Sequence, residues 1–145
     1  MAMAANLTYE QAFEHFKSAG LATARKRKPP CATTFSELRY VLKQAGVATR
    51  MRPFKSAKDL PARAILKVNV RANGDWHWVF AERANEKVLC VFDPARSGPS
   101  YTPVWLGTDR TSLGDYWTPK GYYLEILPSL PETLNEDSCA FRHSP

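Results

Sequence analysis

The apolar side chains of this 145-residue chain recur every third or fourth position up to about residue 46, and every second position from about residue 64 onward. Helices first and strands afterwards, without alternation between them, is the pattern of an α+β fold rather than of a parallel βαβ sheet. Thr8 can cap a helix over Tyr9 to Ala19, in which Ala12, Phe13, Phe16 and Ala19 share one stripe and Gly20 is the stop. Thr34 followed by Glu37 has the form of a capping box, and Phe35, Leu38, Val41, Leu42 and Ala45 keep helical spacing before Gly46. Val47 to Pro53 reads as a short strand, and Ser56 to Leu60 as a single turn ended by Pro61.

From Ala64 to Arg71 the residues alternate, with Leu66, Val68 and Val70 on one face and Lys67, Asn69 and Arg71 on the other. Asn73-Gly74 is a hairpin signal leading into Trp76 to Glu82, and a turn near Ala84 to Glu86 leads into Lys87 to Asp93. Three consecutive antiparallel strands follow from these turns. Tyr101 to Leu106 is a further candidate strand, Gly107 to Pro119 a long polar loop, and Tyr122 to Leu127 a closing strand. Residues 128–145 carry three prolines and no periodicity, which reads as an irregular tail after a single domain over 1–127.

With 44% hydrophobic and 23% charged residues and no apolar run near the roughly 20 residues of a membrane helix, neither disorder nor membrane insertion is expected. Residues Met1 to Asn6 lack the basic start and apolar stretch of a signal peptide, and Cys31, Cys90 and Cys139 form no CxxC pair. A reducing cytoplasm with free thiols is the expectation. The three histidines, His15, His77 and His143, lie far apart and no phosphate loop or Rossmann fingerprint occurs, so neither a metal nor a cofactor is expected. The net charge of +6 is unevenly spread: residues 1–74 carry 14 Lys/Arg against 4 Asp/Glu, and residues 75–145 carry 6 against 10. The densest cluster, Arg25, Lys26, Arg27 and Lys28, is a candidate basic patch for nucleic acid or an acidic protein, against the alternative of a merely solvated face. It has no interleaved aromatic residues to stack on bases, and nucleic acid is the less favoured partner.

The stretch with chemical content is Asp75-Trp76-His77-Trp78-Val79 followed by Val88 to Pro94. A three-residue turn at 84–86 would put His77 directly across from Asp93; a two-residue turn would pair His77 with Phe92 and send Asp93 to the other face. A carboxylate beside the imidazole would hold one ring nitrogen, fix the tautomer and leave the other nitrogen as a base. The competing reading is a half-buried strand histidine and an Asp-Pro pair that only starts a turn. Trp76, Trp78 and Phe80 read first as core residues, with Trp76 and Trp78 as candidate binding residues beside His77. Cys31, a few residues ahead of the second helix and near the basic cluster, is a candidate nucleophile because a helix N-terminus and cations favour a thiolate.

Five segments, "LTYEQAFEHF", "TTFSELRYVLKQAGV", "AILKVNV", "DWHWVF" and "VLCVFDPARSG", together resemble the papain-like cysteine peptidases of the bacteriocin-processing type, which remove double-glycine leader peptides. The resemblance runs from Leu7 to about Gly98, and its most specific element is a strand histidine followed 16 residues later by Asp-Pro. It implies a papain-like α+β fold with N-terminal helices on an antiparallel sheet of four to six strands, and it implies His77 as the base and Asp93 as its orienter. In that family the nucleophilic cysteine opens the central helix, a few residues after a glutamine. Residues Ala2 to Tyr9 resemble the stretch just downstream of that cysteine, so the resemblance implies a nucleophile encoded upstream of Met1 or a relative that lacks it. The functional expectation is a peptidase-type domain that binds a peptide or protein without cutting it; the alternatives are an active thiol hydrolase using Cys31 or an upstream cysteine, and a basic nucleic-acid- or acidic-protein-binding protein.

Overall fold

The computed structural model describes residues 1–25, 28, 30–86, 88–96, 100–103 and 117–128. Cys139, Lys26, Arg27, most of the 107–119 loop and nearly all of the expected tail therefore lie outside the described residues. Three helices come first: α1 (Ala2–Ala5), α2 (Tyr9–Ser18) and α3 (Phe35–Gln44). Strands β1 (Thr49–Pro53), β2 (Arg63–Val68), β3 (His77–Asn85), β4 (Val88–Phe92), β5 (Ser100–Pro103) and β6 (Pro119–Ile126) follow, with one 3-10 turn at Ala57–Asp59. The α+β order expected from the change of period is the order found.

Both expected caps form. Thr8 accepts from the Gln11 amide while the Gln11 side chain accepts from the Thr8 amide, and Thr34 and Glu37 repeat the arrangement on α3. Each box satisfies two amide donors that the first helical turn would otherwise leave unpaired. The four-residue α1 has no sequence signal of its own; its Met3 and Ala4 carbonyls accept from the Arg63 guanidinium at 3.1 and 3.2 Å, which ties it to β2.

The sheet is antiparallel throughout in the order β1-β6-β2-β3-β4-β5. The last of the described strands, β6, thus lies inside the sheet, between β1 and β2. Central β2 is apolar on both sides, as a strand covered on both faces must be. One face carries Ile65, Phe80, Leu124 and Ile126 and is covered by Ala4, Leu38 and Leu42 of the helices. The other carries Leu66, Val68, Val79, Val91 and Tyr123 and is covered by Ala57, Leu60 and Trp117. Near the start of β6, Gly121 has φ 81°, and the β2–β6 register shifts between Leu66 and Val68. A positive φ inside a strand is open to glycine at little cost, so this residue permits the bulge.

Several strand bounds differ from expectation: β6 begins at Pro119 rather than Tyr122, and the ends of β2 and β3 also move. β2 ends at Val68, because Asn69 turns into the left-handed region at φ 53° and leaves the sheet. β3 runs to Asn85, and the hairpin register is Phe80↔Phe92, Ala81↔Val91, Glu82↔Cys90 and Arg83↔Leu89, with a bulge before Asn85↔Val88. The turn is therefore not the three-residue 84–86 turn, and His77 is not directly across from Asp93. Continuing this register would set Asp93 opposite Val79, two residues from His77 on the same face. The shift from the expected register is an even number of residues, which preserves the face.

Glu37 organises the loop between α2 and α3 as well as the cap. Its carboxylate accepts from the Thr34 amide at 2.7 Å, pairs with Lys28 Nζ at 3.1 Å, and pairs with the Arg25 guanidinium, which also donates to the Ala32 carbonyl. The amide of Thr34 is the largest of the influences that hold the Glu37 carboxyl at about 2, outweighing partial burial. A carboxyl depressed on folding stabilises the native state above its ordinary value of 4.5 and loses that contribution as pH falls toward about 2. Urea unfolding across a pH series is therefore expected to fall less steeply between about pH 4.5 and about pH 2 in Glu37→Gln than in the native protein. Parallel curves for the two proteins would show that Glu37 does not carry this linkage.

Candidate active site

The pairing of β3 with β4 stops at Phe80↔Phe92, so His77 to Val79 and Asp93 to Arg96 border a notch in the sheet. Asp93 and Pro94 begin a turn there: the Ala95 amide donates to Asp93 Oδ1 at 2.9 Å and the Arg96 amide to the Asp93 carbonyl at 2.9 Å. An aspartate whose side chain takes the amide two residues on is a self-capped turn, for which Asp followed by Pro is well suited. The other oxygen is left for longer-range partners. Oδ2 lies 3.2 Å from His77 Nε2 and accepts from the Trp117 indole at 2.7 Å. Asp93 thus starts the turn with one carboxylate oxygen and meets His77 with the other.

Burial is the largest influence on Asp93 and pushes its carboxyl up, but donation from Trp117, Ala95 and His77 together holds it below its ordinary value. An ionised carboxylate can only accept, so the proton in the contact with His77 must sit on Nε2. Nδ1 is then the basic nitrogen. The acid side chain is 6% exposed and the imidazole 39% exposed, so the acid is shielded while the base reaches the notch.

Trp117 falls in a stretch whose sequence predicts only a polar loop, yet it is 2% exposed and reaches the site. Its place is set by Asn69, whose amide donates to the Thr118 carbonyl at 2.9 Å while its side-chain oxygen accepts from the Thr118 amide at 2.8 Å. A lone tryptophan in an otherwise polar segment is the signal that could have drawn attention, since a buried indole N–H needs an acceptor.

The notch opens into a cavity of ≈ 650 Å³ lined by Cys31, Trp76, His77, Trp78 and Asp93, with Lys28 and Asp75 also on its wall. Trp76 and Trp78 are half-buried: Trp78 meets Phe35 edge-on with ring centres 4.8 Å apart, and Lys67 Nζ lies 4.2 Å from the Trp76 ring centre. Phe80, by contrast, belongs to the core under the helices. Cys31, Trp78 and Asp93 also border a second, mainly apolar cavity of ≈ 560 Å³ between α2 and the sheet.

Cys31 thus borders the same cavity as His77 and Asp93. Its backbone is in the left-handed region at φ 60°, uncommon for a residue other than glycine, and its amide donates to the Leu21 carbonyl at 2.9 Å. It lies ahead of Thr34, the cap of α3, rather than on the first helical turn where the dipole acts. Arg25 and Lys28, the described cations of the expected basic patch, are partly buried and pair with Glu37. Cys90 is buried on the strand beside Asp93 but on the opposite face, and neither Cys31 nor Cys90 is in a disulfide. His15, on α2, is not part of the site. Among the described residues, no group of three or more His, Cys, Asp and Glu could hold a metal ion, and no helix is long and apolar enough to cross a membrane. No protein-family model matches this chain, and no curated protein matches it.

The geometry separates two variants. Asp93→Ala removes the acceptor of three donors in a buried place and is expected to destabilise the fold by about 2–4 kcal/mol. His77→Ala removes a half-exposed ring and is expected to cost less than about 1 kcal/mol. Urea denaturation of both at neutral pH measures the difference; equal costs would contradict the assignment of the acid as the anchored partner.

Proposed function

We propose that this chain is a papain-like cysteine-peptidase-type domain whose cleft, at the notch between β3 and β4, binds an extended peptide or a segment of a protein partner. The observation that carries the reading is the His77–Asp93 contact at the mouth of a cavity walled by two tryptophans. The α+β layering and the resemblance of five segments to the peptidase family support it. Indole rings offer a peptide large rigid surfaces at small entropic cost, and a half-exposed imidazole with a fixed tautomer offers a directed acceptor.

One observation favours a second reading, an active thiol hydrolase: Cys31 borders the cavity of the histidine and the acid. In that reaction His77 Nδ1 takes the Cys31 proton, the thiolate adds to the peptide carbonyl carbon, and the imidazolium returns the proton to the departing amine as the C–N bond breaks. Water then hydrolyses the thioester by the same base.

Labelling with a peptidyl thiol-reactive probe, read by mass spectrometry, tests both. Under the binding reading, saturating peptide protects Cys31 from a small alkylating agent, the labelling rate is little changed in His77→Ala, and the indole N–H resonances of Trp76 and Trp78 shift on peptide addition. Under the hydrolase reading, labelling of Cys31 by the probe is rapid and drops at least about tenfold in His77→Ala. Peptides that neither protect Cys31 nor shift either indole would rule out a peptide cleft.

A further inference from the structure

We infer that Trp117 is the positioning residue of this site: its indole N–H pins Asp93 Oδ2 so that His77 keeps its proton on Nε2 and turns Nδ1 toward the cleft. The inference rests on the reading of the cleft given above and adds to it a residue that neither strand pairing nor the Asp-Pro turn supplies.

A carboxylate on a strand end has a rotatable side chain, and the Ala95 amide on Oδ1 fixes only one of its corners. The Trp117 contact on Oδ2, at 2.7 Å, is shorter than the His77 contact on the same oxygen at 3.2 Å, and it comes from a residue 2% exposed. Two donors on one oxygen and a third on the other define the plane of the carboxylate. The indole is itself held from two sides. The reciprocal Asn69–Thr118 pair locks the backbone next to it, and the Arg96 guanidinium lies 5.2 Å from its ring centre. A cation over the ring face also polarises the indole toward donation.

Among the described residues, the charged and titratable groups around the acid are these. His77 faces it from β3, Arg96 stands over the Trp117 ring, and Lys28 and Asp75 lie farther along the shared cavity wall. Trp117 contributes a neutral donor from the segment before β6. It therefore orders the acid without adding a charge that would compete for the imidazole. Loss of the N–H frees the carboxylate to rotate about the turn, and the tautomer preference of His77 weakens with it.

The test is the His77 tautomer at pH 8, read from the two imidazole 15N shifts in the full chain. The native protein is expected to show predominantly the Nε2–H form. In Trp117→Phe the share of the Nδ1–H form is expected to rise severalfold. Because Phe also leaves a gap in the core, a second variant carries β-(3-benzothienyl)alanine at position 117, which keeps the shape of the indole and replaces its N–H by sulfur; it is expected to show the same rise with a smaller loss of thermal stability. A tautomer ratio unchanged from the native protein in either folded variant, whatever its melting temperature, overturns the assignment, as does a native protein in the Nδ1–H form. The readout needs neither peptide nor nucleophile, so failure of the peptide titration would leave this result standing, and failure here would leave the peptide titration standing.

Discussion

Three donors from three parts of the chain converge on one buried carboxylate, and the site depends on that convergence. Asp93 draws an amide from its own turn, an imidazole from β3 and an indole from the segment entering β6. An ionised group with a side chain 6% exposed is costly unless its lone pairs are taken up. Here the three donors take them up, and the carboxyl stays below its ordinary value despite burial. The same hydrogen bonds that keep the acid ionised also fix its orientation. What stabilises the notch and what prepares the histidine are therefore one arrangement.

The fold supplies this arrangement through its strand order. Had β6 lain at the sheet edge, Thr118 could not reach Asn69 at the end of β2, and Trp117 would not arrive on the face shared by Val79 and Val91. The bulge permitted by Gly121 lets β6 follow β2 and yet turn off at Pro119. On the opposite face the helices cover Ile65, Phe80 and Leu124, and the loop carrying Cys31 is drawn to α3 by Glu37. The Glu37 cluster thus brings Cys31 to the cavity, while the Asp93 cluster brings His77 there. The two clusters are built from separate residues and meet across the cavity wall.

Much of this was legible in the sequence, for identifiable reasons. Caps and stripes depend on neighbours a few residues apart, so Thr8, Thr34 and Glu37 could be read directly. The face of His77 and Asp93 depends only on whether the hairpin register is odd or even, so an incorrect turn length still left the two on one side. Sheet order was not legible, because alternation states which face a residue takes and not which strand lies beside it; nothing in Tyr122 to Leu127 shows that it inserts between β1 and β2. The role of Trp117 was hidden for the same reason, being a contact across 24 residues that exists only once Asn69 has left its strand. Composition alone marks the basic run 25–28, and it cannot show that Arg25 and Lys28 pair with Glu37.

The most direct measurement is a nuclear Overhauser spectrum of the full chain in water near neutral pH. The indole proton of Trp117 and the Nε2 proton of His77 both point at Asp93 Oδ2, so a strong cross-peak between them is expected, together with slowed exchange of the imidazole proton. An indole proton of Trp117 without any contact to the His77 ring, in a protein whose other long-range contacts match this sheet, would contradict the shared carboxylate and with it the site.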